Sequence, residues 1–433
     1  MTKKYCEEEV ILNKTVLQTY LAEPFCLTAH SRANDQLLYF TTSSLTVNDR
    51  NLIFISDRTG SPNLFCRDLK SGKERPITIN TEGYLKSYVY FDGNDEHGLG
   101  KASVSLHAPS GKVYYIQGRK ICQTDHHGKI RYLAEIPVGQ VSAFTHVSLD
   151  GKLLCVPTTD RRALDGEFEN NKPLYDIDEL VQTENLNSYL RVFDTSSGKQ
   201  LLCERVPRAW VTHVQFCPTN TRWILYNHEW PSDCGIRRIW LWDGSSHIRI
   251  RSEGNGRNRQ DWACHEVWES DGKAIVYHGG YSNGSCLIGR VAFQGGIPLE
   301  PVEIALKHNY SQYGHFTLHD SNRLLVSDGY YLMEHSDKLR KMLTNQEVVC
   351  NDLSETGEEK KQWGGVWISL QVPDWNNHTI TWIPICRHRS NWDSQDSHPH
   401  PIFNHAGNAI LYTSNWEGHR AIYKVKIPNL NLS

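Results

Sequence analysis

Asp271-Gly272-Lys273 stands directly before the apolar run AIVYHGG, and this pairing of a turn with an apolar strand decides the fold. Glycine and asparagine supply the positive φ that tight hairpin turns demand. The arrangement occurs seven times along the chain. The turns and their runs are Asn48-Asp49-Arg50 with NLIFISD, Ser110-Gly111-Lys112 with VYYIQG, Asp150-Gly151-Lys152 with LLCVPTT, Asn220-Thr221-Arg222 with WILYNHE, Asp271-Gly272-Lys273 with AIVYHGG, Asp320-Ser321-Asn322 with RLLVSDG, and Ala406-Gly407-Asn408 with AILYTSN.

Several units continue into a second strand and a second turn, as in RVFDTSSGK and IWLWDGSS. The best helix-like segment is Asp176 to Leu190, inside an apparent insertion. Seven repeats of a four-stranded antiparallel sheet predict an all-β fold, a seven-bladed β-propeller. A β-sandwich followed by a second β domain is the alternative. We expect one domain over residues 1–433, with segment 1–36 helping to close the ring.

The bulk composition excludes some functions. The chain has 433 residues and a net charge of -3, which does not suggest a nucleic-acid partner. No apolar run approaches the roughly 20 residues that span a membrane. The first residues lack the apolar core of a secretory signal, and the twelve cysteines form no C-x-x-C pair. We therefore expect a cytoplasmic protein with reduced cysteines.

Histidines recur before the apolar runs. In Gln395-Asp396-Ser397-His398-Pro399-His400-Pro401, two imidazoles lie two residues apart, on one face if this segment is a strand. The prolines donate no backbone hydrogen bond, so such a strand would be an edge or line a cavity. With the upstream carboxamide, this run is a candidate for part of a metal site. Other histidines hold equivalent positions before three further runs, namely His213, His265 and His315.

In a propeller, these equivalent positions are innermost strands, so the histidines would converge on the central channel. A single histidine in such a place is more often a half-buried, hydrogen-bonded strand residue. Four equivalent positions favour a site.

Three stretches resemble the oligogalacturonate lyases, seven-bladed propeller polysaccharide lyases of pectin degradation. They are His228-Glu229-Trp230-Pro231 with Arg237-Arg238-Ile239-Trp240 (the family's H-E-G-P and A-R-M-W), Cys264-His265-Glu266-Val267-Trp268 (T-H-E-F-W), and Gln395 to Pro401 with AILYTSNWEG (Q-V-T-H-P-H-P and I-L-F-T-S-D). His315 with Leu324 to Gly329 fits S-H followed by L-M-V-G-D-G. Before about residue 200, the chain resembles the family only in its repeated blade pattern.

The resemblance implies a divalent metal, usually manganese, held by a fixed set of side chains. These map onto His315, Gln395, His398 and His400. It also implies that His265 is the Brønsted base and that Arg238 binds a substrate carboxylate. Arg237 points to the opposite strand face and is the alternative arginine. His213 and His228 are expected to line the channel and contact substrate, with packing near the channel as an equally good explanation.

The chemistry implied is β-elimination from an acidic, uronate-containing oligosaccharide, with a 4,5-unsaturated product. A non-catalytic carbohydrate-binding or protein-interaction propeller is the main rival, but a scaffold needs neither a metal set nor a base. A hydrolase is less favoured because we find no carboxylate pair at equivalent positions. Extra residues around 335–375, including the charged run Glu355 to Lys361, indicate that the uronide could differ from oligogalacturonate.

Overall fold

The computed structural model consists mainly of antiparallel β-sheets arranged in a ring. It describes residues 10–12, 15–17, 22–28, 33–81, 99, 103–169, 172–229, 238–251, 261–281, 286–305, 314–329, 367–391 and 395–427. Three short strands lie at the N-terminal end: β1 (Val10–Leu12), β2 (Thr15–Leu17) and β3 (Phe25–Cys26).

The first three blades follow in chain order. Blade 1 contains β4 (Asp35–Leu37), β5 (Asn51–Ser56), β6 (Asn63–Asp68) and β7 (Glu74–Pro76). Blade 2 contains β8 (Ser105–His107), β9 (Lys112–Gln117), β10 (Lys120–Thr124) and β11 (Arg131–Glu135). Blade 3 contains β12 (Gln140–Ser142), β13 (His146–Val147), β14 (Leu153–Asp160), β17 (Asn187–Asp194) and β18 (Gln200–Pro207), with the hairpin β15 (Phe168–Glu169) and β16 (Lys172–Pro173) inserted.

The remaining four blades complete the ring. Blade 4 contains β19 (Val214–Cys217), β20 (Asn220–Asn227), β21 (Ile239–Trp242) and β22 (His247–Arg249). Blade 5 contains β23 (Trp262–Trp268), β24 (Ala274–Gly280), β25 (Cys286–Gln294), β26 (Ile297–Pro298) and β27 (Val302–Ala305). Blade 6 contains β28 (Phe316–Leu318), β29 (Leu325–Ser327), β30 (Trp367–Asp374) and β31 (Thr379–Arg387). Blade 7 contains β32 (Ile402–Phe403), β33 (Ala409–Ser414), β34 (Ala421–Lys426) and β3.

The predicted seven-bladed β-propeller is confirmed. Each predicted turn joins the innermost strand of a blade to its second strand, and Gly151 at φ +71° shows the left-handed backbone that these turns require. Innermost strands of adjacent blades contact one another from blade 2 to blade 7, and β4 of blade 1 contacts β33 and β34 of blade 7. The innermost strands all begin at one mouth of the channel and run toward the other mouth. The seven hairpins that follow them therefore lie at that second mouth.

Apolar side chains fill the space between neighbouring blades. Between blades 1 and 2, for example, Ile53 and Leu64 pack with Val113 and Tyr115, all buried. A further cluster at the channel joins residues from several blades, including Tyr39, Phe144 and Trp210. This continuous burial fixes the positions from which the innermost strands begin.

The helix predicted over Asp176 to Leu190 is present but shorter. An α-helix, α1, spans Ile177–Thr183, and the Asp176 side chain accepts a hydrogen bond from the backbone N–H of Glu179 at 3.0 Å as its N-cap. Asn185 then adopts φ +52°, and the chain enters β17. In the described ranges, two short 3-10 helices occur at Arg161–Leu164 and Gln395–Ser397.

The extra residues predicted around 335–375 are not all insertion. Trp367–Asp374 is β30, the third strand of blade 6, and pairs with both β29 and β31. The charged run Glu355 to Lys361 lies outside the described residues.

The N-terminal strands extend the last two blades. β2 pairs in parallel with β31, and β3 pairs with β34, so the first described strands lie beside the last ones. Thr28, fully buried, accepts a hydrogen bond at its Oγ1 from the backbone N–H of Ile422 at 3.0 Å. The nine cysteines in the described part of the chain are free thiols. Among the described helices, none has the length and apolarity to cross a membrane.

We predict that Thr28→Val weakens this closing contact. Valine keeps the shape of threonine but leaves the Ile422 N–H without an acceptor, which costs about 1–3 kcal/mol of unfolding free energy. Urea denaturation measures the loss. Thr183→Val, at an exposed position on α1, is the matched control and should change stability by less than about 0.5 kcal/mol. Equal effects in both variants would contradict the proposed contribution of the contact.

Candidate active site

The predicted histidines approach one mouth of the channel, where the innermost strands begin. His213 directly precedes β19, and His315 directly precedes β28. His400 is separated from the start of β32 by one residue. His265 lies within β23, the innermost strand of blade 5. The ring therefore brings together residues that are nearly 190 positions apart in the chain.

Three of these histidines form a compact group. One ring nitrogen each of His315, His398 and His400 lies within 4.8 Å of the others. The His315 ring centroid is 4.2 Å from that of His400 and 5.0 Å from that of His398. Neutral imidazoles at this spacing suit a divalent first-row metal and leave coordination positions for other ligands. The donor set thus fits the metal that the resemblance implies.

His398 and His400 do not lie on an extended strand, contrary to the expectation. The segment passes from the 3-10 helix Gln395–Ser397 into a left-handed residue, His400 at φ +45°, before β32 begins. The prolines cannot donate to a ladder, and the carbonyl of Pro399 instead accepts from the Thr413 N–H at 2.9 Å. The two imidazoles converge through this turn and not through strand alternation.

A buried carboxylate that sequence reasoning did not single out supports the group. Asp328, 0% exposed, accepts hydrogen bonds from the His315 N–H at 2.7 Å and the His400 N–H at 3.1 Å. It also faces His315 Nδ1 at 3.0 Å, which directs the other ring nitrogen of His315 toward the group. Burial raises the pKa of Asp328 to about 6, and His398 and these backbone N–H groups oppose the rise. Asp328 lies in Ser327-Asp328-Gly329, part of a stretch that resembles the lyases, so this resemblance could have identified it.

Two predicted residues cannot be compared with the structure. The side chain of Gln395, the fourth predicted metal ligand, lies outside what the structure describes, although its backbone begins the 3-10 helix. Arg237 also lies outside the described residues.

His265 stands beside the group. Its ring centroid is 4.4 Å from that of His315, and the two rings are tilted by 37°. Burial lowers the pKa of His265 to about 4, and the positive charge of Arg238 adds to this effect. A neutral imidazole next to a metal group is the form that can accept a proton.

His265 also forms a second group, with Cys264 and His278, whose ligand atoms lie within 4.8 Å. However, His265 Nδ1 and His278 Nε2 are only 2.7 Å apart. Two nitrogens on one tetrahedral metal, each about 2.0–2.1 Å from it, would be about 3.3 Å apart. The pair is therefore a hydrogen bond, and this second group does not have the spacing of a metal site.

Arg238 lies at the centre of a buried ion cluster. Its Nη1 donates to Glu229 at 2.9 Å, its Nε donates to Glu266 at 3.0 Å, and its Nη2 is 2.7 Å from Nδ1 of His213. Burial opposes ionisation of Glu266, but Arg238 and His213 outweigh it and lower the pKa of Glu266 to about 2. The guanidinium charge is thus balanced by the protein, and its predicted contact with substrate stays a prediction.

His213 belongs to this cluster, whereas His228 does not. The His213 ring packs against Tyr39 and Phe144 at the channel. The His228 ring packs against Tyr226 and Trp240 of blade 4, and burial lowers its pKa to about 3. The structure therefore brings His213, but not His228, to the predicted site.

Aromatic side chains of blade 1 pack against the histidine groups. The Phe40 ring lies 5.3 Å from that of His265 and 5.7 Å from that of His315, and Tyr39 lies 4.9 Å from His400. Sequence reasoning missed both residues because nothing in the chain distinguishes them from core aromatics.

The opposite mouth contains a cavity of about 290 Å³, but its histidines have structural partners. His107 contacts Ser110 and the Leu149 carbonyl, and His319 contacts Ser321. These hydrogen bonds stabilise the hairpin turns at that mouth. The histidine-lined mouth is therefore the better candidate for chemistry.

We predict that Gly314→Ala disrupts the metal group. Gly314 adopts φ +67°, and an added Cβ would meet Asp328 Oδ1 at 2.4 Å, which would displace the carboxylate that holds His315. Gly60→Ala is the matched control, because Gly60 has φ +90° with no atom within 4 Å of an added Cβ. Calorimetric titration with Mn²⁺ should show a 10–100-fold weaker affinity for Gly314→Ala only. Equal affinities in the two variants would contradict the role of Asp328.

The ion cluster gives a pH prediction. The pKa of Glu266 is lower in the folded protein, about 2, than the ordinary 4.5, so its contribution to stability is complete above about pH 4.5 and disappears as the pH falls toward 2. Glu266→Gln should cost about 3–5 kcal/mol at pH 7, since it removes one partner of a buried ion pair. Its loss of stability between pH 4.5 and 2 should be smaller than in the wild type. Chemical denaturation across this range measures both effects, and parallel pH profiles would refute the assignment.

Fold and site together define a seven-bladed propeller with a histidine group and a buried arginine–glutamate cluster at one channel mouth. No protein-family model matches the chain. It is similar to two curated relatives, an oligogalacturonide lyase of Pectobacterium atrosepticum (24% identical over 276 residues) and an oligogalacturonate lyase of Dickeya dadantii (25% over 280 residues). Each match covers 60% of this chain and 61% of the relative, so the chain spans about three fifths of the length of these relatives.

Solved structures agree in fold. An oligogalacturonate lyase in complex with manganese has a TM-score of 0.69 at 20% identity and covers 94% of each chain. An oligogalacturonate lyase from Vibrio parahaemolyticus has a TM-score of 0.69 at 17% identity and covers 98% of this chain and 99% of its own. The comparisons confirm the resemblance to the oligogalacturonate lyases.

Proposed function

We propose that this protein is a metal-dependent uronide lyase that cleaves acidic oligosaccharides by β-elimination, in the cytoplasm. The observation that carries the proposal is the contact between the His315, His398 and His400 group and the neutral imidazole of His265. A cation that binds the carboxylate and a base for the adjacent proton together promote elimination next to a carboxylate. The sequence similarity to lyases with this named activity supports the same class.

The chain supplies the metal ligands from two blades. We assign His315 from blade 6, and His398 and His400 from the segment before blade 7, with Gln395 as the fourth ligand and manganese as the expected metal. When bound, a divalent cation draws negative charge from the uronate carboxylate as C5 loses its proton. Asp328 keeps His315 oriented for this role through the contact at Nδ1.

His265 is assigned as the base. Its pKa of about 4 keeps the ring neutral near pH 7, and Nε2 is the nitrogen not engaged with His278 and Gly314. His265 takes the C5 proton, the C5–H electron pair forms the C4=C5 double bond, and the C4–O bond breaks. The leaving oxygen takes a proton from water, which gives a 4,5-unsaturated uronide and a new hydroxyl group.

Arg238 and His213 are assigned to the substrate side of the site. A substrate carboxylate would share a guanidinium that Glu229 and Glu266 already contact, so Arg238 offers hydrogen bonds more than net charge. The positive charge of Arg238 also contributes to the lowered pKa of His265.

Metal content and product absorbance test the proposal. Purified protein should bind about one Mn²⁺ and, on a panel of oligogalacturonates and of oligosaccharides with glucuronate or rhamnose, should produce the ultraviolet absorbance of an unsaturated uronide. Chelation should abolish the activity. Release of sugar without this absorbance would indicate a hydrolase, and binding without cleavage would indicate a carbohydrate-binding propeller.

Single substitutions separate the two parts of the site. His398→Ala should lose both bound metal and activity. His265→Ala should keep the metal and lose about 10²–10⁴-fold in kcat, the usual contribution of a general base. His247→Ala, on the outermost strand of blade 4, is the control and should change neither. Full activity in His265→Ala would remove the base assignment alone.

A further inference from the structure

His278 is a buried histidine to which the proposed function gives no role. It lies on β24, the second strand of blade 5, and only 3% of its surface is exposed. Its Nε2 is 2.7 Å from Nδ1 of His265, the ring centroids are 4.8 Å apart, and the ring planes are inclined by 29°. A histidine on the second strand thus contacts the assigned base at its Nδ1.

The backbone of β23 directs His265 into this contact. The pairing of β23 with β24 shifts its register between Cys264 and Val267, and His265 adopts φ +53°. A β-bulge of this kind turns a side chain out of the regular strand alternation. His265 is thereby placed in contact with both His278 and His315.

The carbonyl of Gly314 shows which nitrogen of His265 carries the proton. His265 Nδ1 is 3.1 Å from this oxygen, which can accept a hydrogen bond but cannot donate one. A proton on Nδ1 satisfies both Gly314 and a lone pair on His278 Nε2. The opposite arrangement, with the proton on His278 Nε2, would place the Nδ1 lone pair of His265 against the lone pairs of the carbonyl.

With the proton on Nδ1, Nε2 of His265 has the free lone pair that a base needs. The hydrogen bond made by one ring nitrogen sets the state of the other. Burial lowers the pKa of His278, which keeps this ring neutral and able to accept.

We propose that His278 is a positioning residue that holds His265 in the tautomer protonated at Nδ1, with Nε2 ready to take the substrate proton. The role rests on the proposed function. Once Nε2 has gained its proton, the Nδ1–H of the imidazolium still points to His278 Nε2 and the Gly314 carbonyl. The Nδ1–H of His265 thus keeps its acceptors during the reaction, and the only new bond on His265 is the Nε2–H bond.

Two substitutions at one position test the role. Glutamine can accept from Nδ1 through its amide oxygen, whereas leucine fills similar space without an acceptor. We expect His278→Leu to lower kcat about 10–100-fold, as loss of a hydrogen bond behind a functional histidine does, with KM and bound Mn²⁺ unchanged. His278→Gln should recover most of kcat. His247→Leu, which removes a histidine paired with Tyr226 and Glu204, should leave kcat unchanged.

Nitrogen NMR of protein labelled at histidine gives a readout that does not depend on activity. In the wild type and in His278→Gln, Nδ1 of His265 should show the shift of a protonated nitrogen and Nε2 that of an unprotonated one. In His278→Leu, the two tautomers should mix. The His265 resonances are assigned by their absence in His265→Gln.

The two readouts distinguish the failure of this inference from the failure of the proposed function. Protonation of Nε2 in the wild type, or one unchanged tautomer in His278→Leu, would overturn the positioning role even if the protein is a lyase. The predicted tautomers in a protein without lyase activity would support the hydrogen-bond assignment and refute the proposed function. If His278→Leu does not fold, the nitrogen chemical shifts of His265 in the wild type and in His278→Gln test the positioning role by themselves.

Discussion

Asp328 holds blades 6 and 7 together at the channel mouth. One buried carboxylate accepts the backbone N–H groups of His315 and His400 and contacts His315 Nδ1, so it fixes two chain segments from different blades. Hydrogen bonds to a carboxylate are shorter and stronger than those between neutral groups, and a buried carboxylate without them is costly. The histidine group depends on this contact, because no regular strand pairing holds the segment from His398 to Pro401.

The charges around the mouth favour an acidic ligand. Three neutral imidazoles leave a bound dication its whole charge, and Asp328 offsets one unit of it through His315. The charge of Arg238 is already balanced by Glu229 and Glu266. Within the part of the chain that the structure describes, the strongest uncompensated positive charge at the histidine group would therefore be the metal itself. A uronate carboxylate would bind there for electrostatic reasons, while a neutral sugar would gain little.

The sequence predicted the blades better than the details of the site. Turn residues before an apolar run depend on local backbone chemistry, so all seven hairpins could be read from the chain. Blade positions predicted that the histidines converge on the channel, and the resemblance to the lyases distinguished His315, His398 and His400 as metal ligands. The strand expected at His398 and His400 was wrong because left-handed φ at a histidine leaves no mark in the sequence.

Asp328 and His278 show the other limit of sequence reasoning. Each acts through a partner, and the partner comes from a neighbouring strand or blade. In the sequence, nothing distinguishes His278 from the other buried residues of AIVYHGG. Its contact with His265 depends on a bulge in β23, which the sequence does not show. The shortening of the helix to Ile177–Thr183 has a similar cause, because tertiary pairing draws the following residues into β17.

Backbone strain gathers at this mouth. His265, Gly314 and His400 all adopt left-handed conformations, at φ +53°, +67° and +45°. For the two histidines such backbone costs on the order of 1–3 kcal/mol each, and it persists only where the surroundings over-determine it. Here the surroundings are the Asp328 hydrogen bonds and the contacts of β28 with β23 and with β32. Since those contacts require adjacent blades to be packed in the ring, the same ring that stabilises the fold also keeps the histidines in a conformation that a free strand would not adopt.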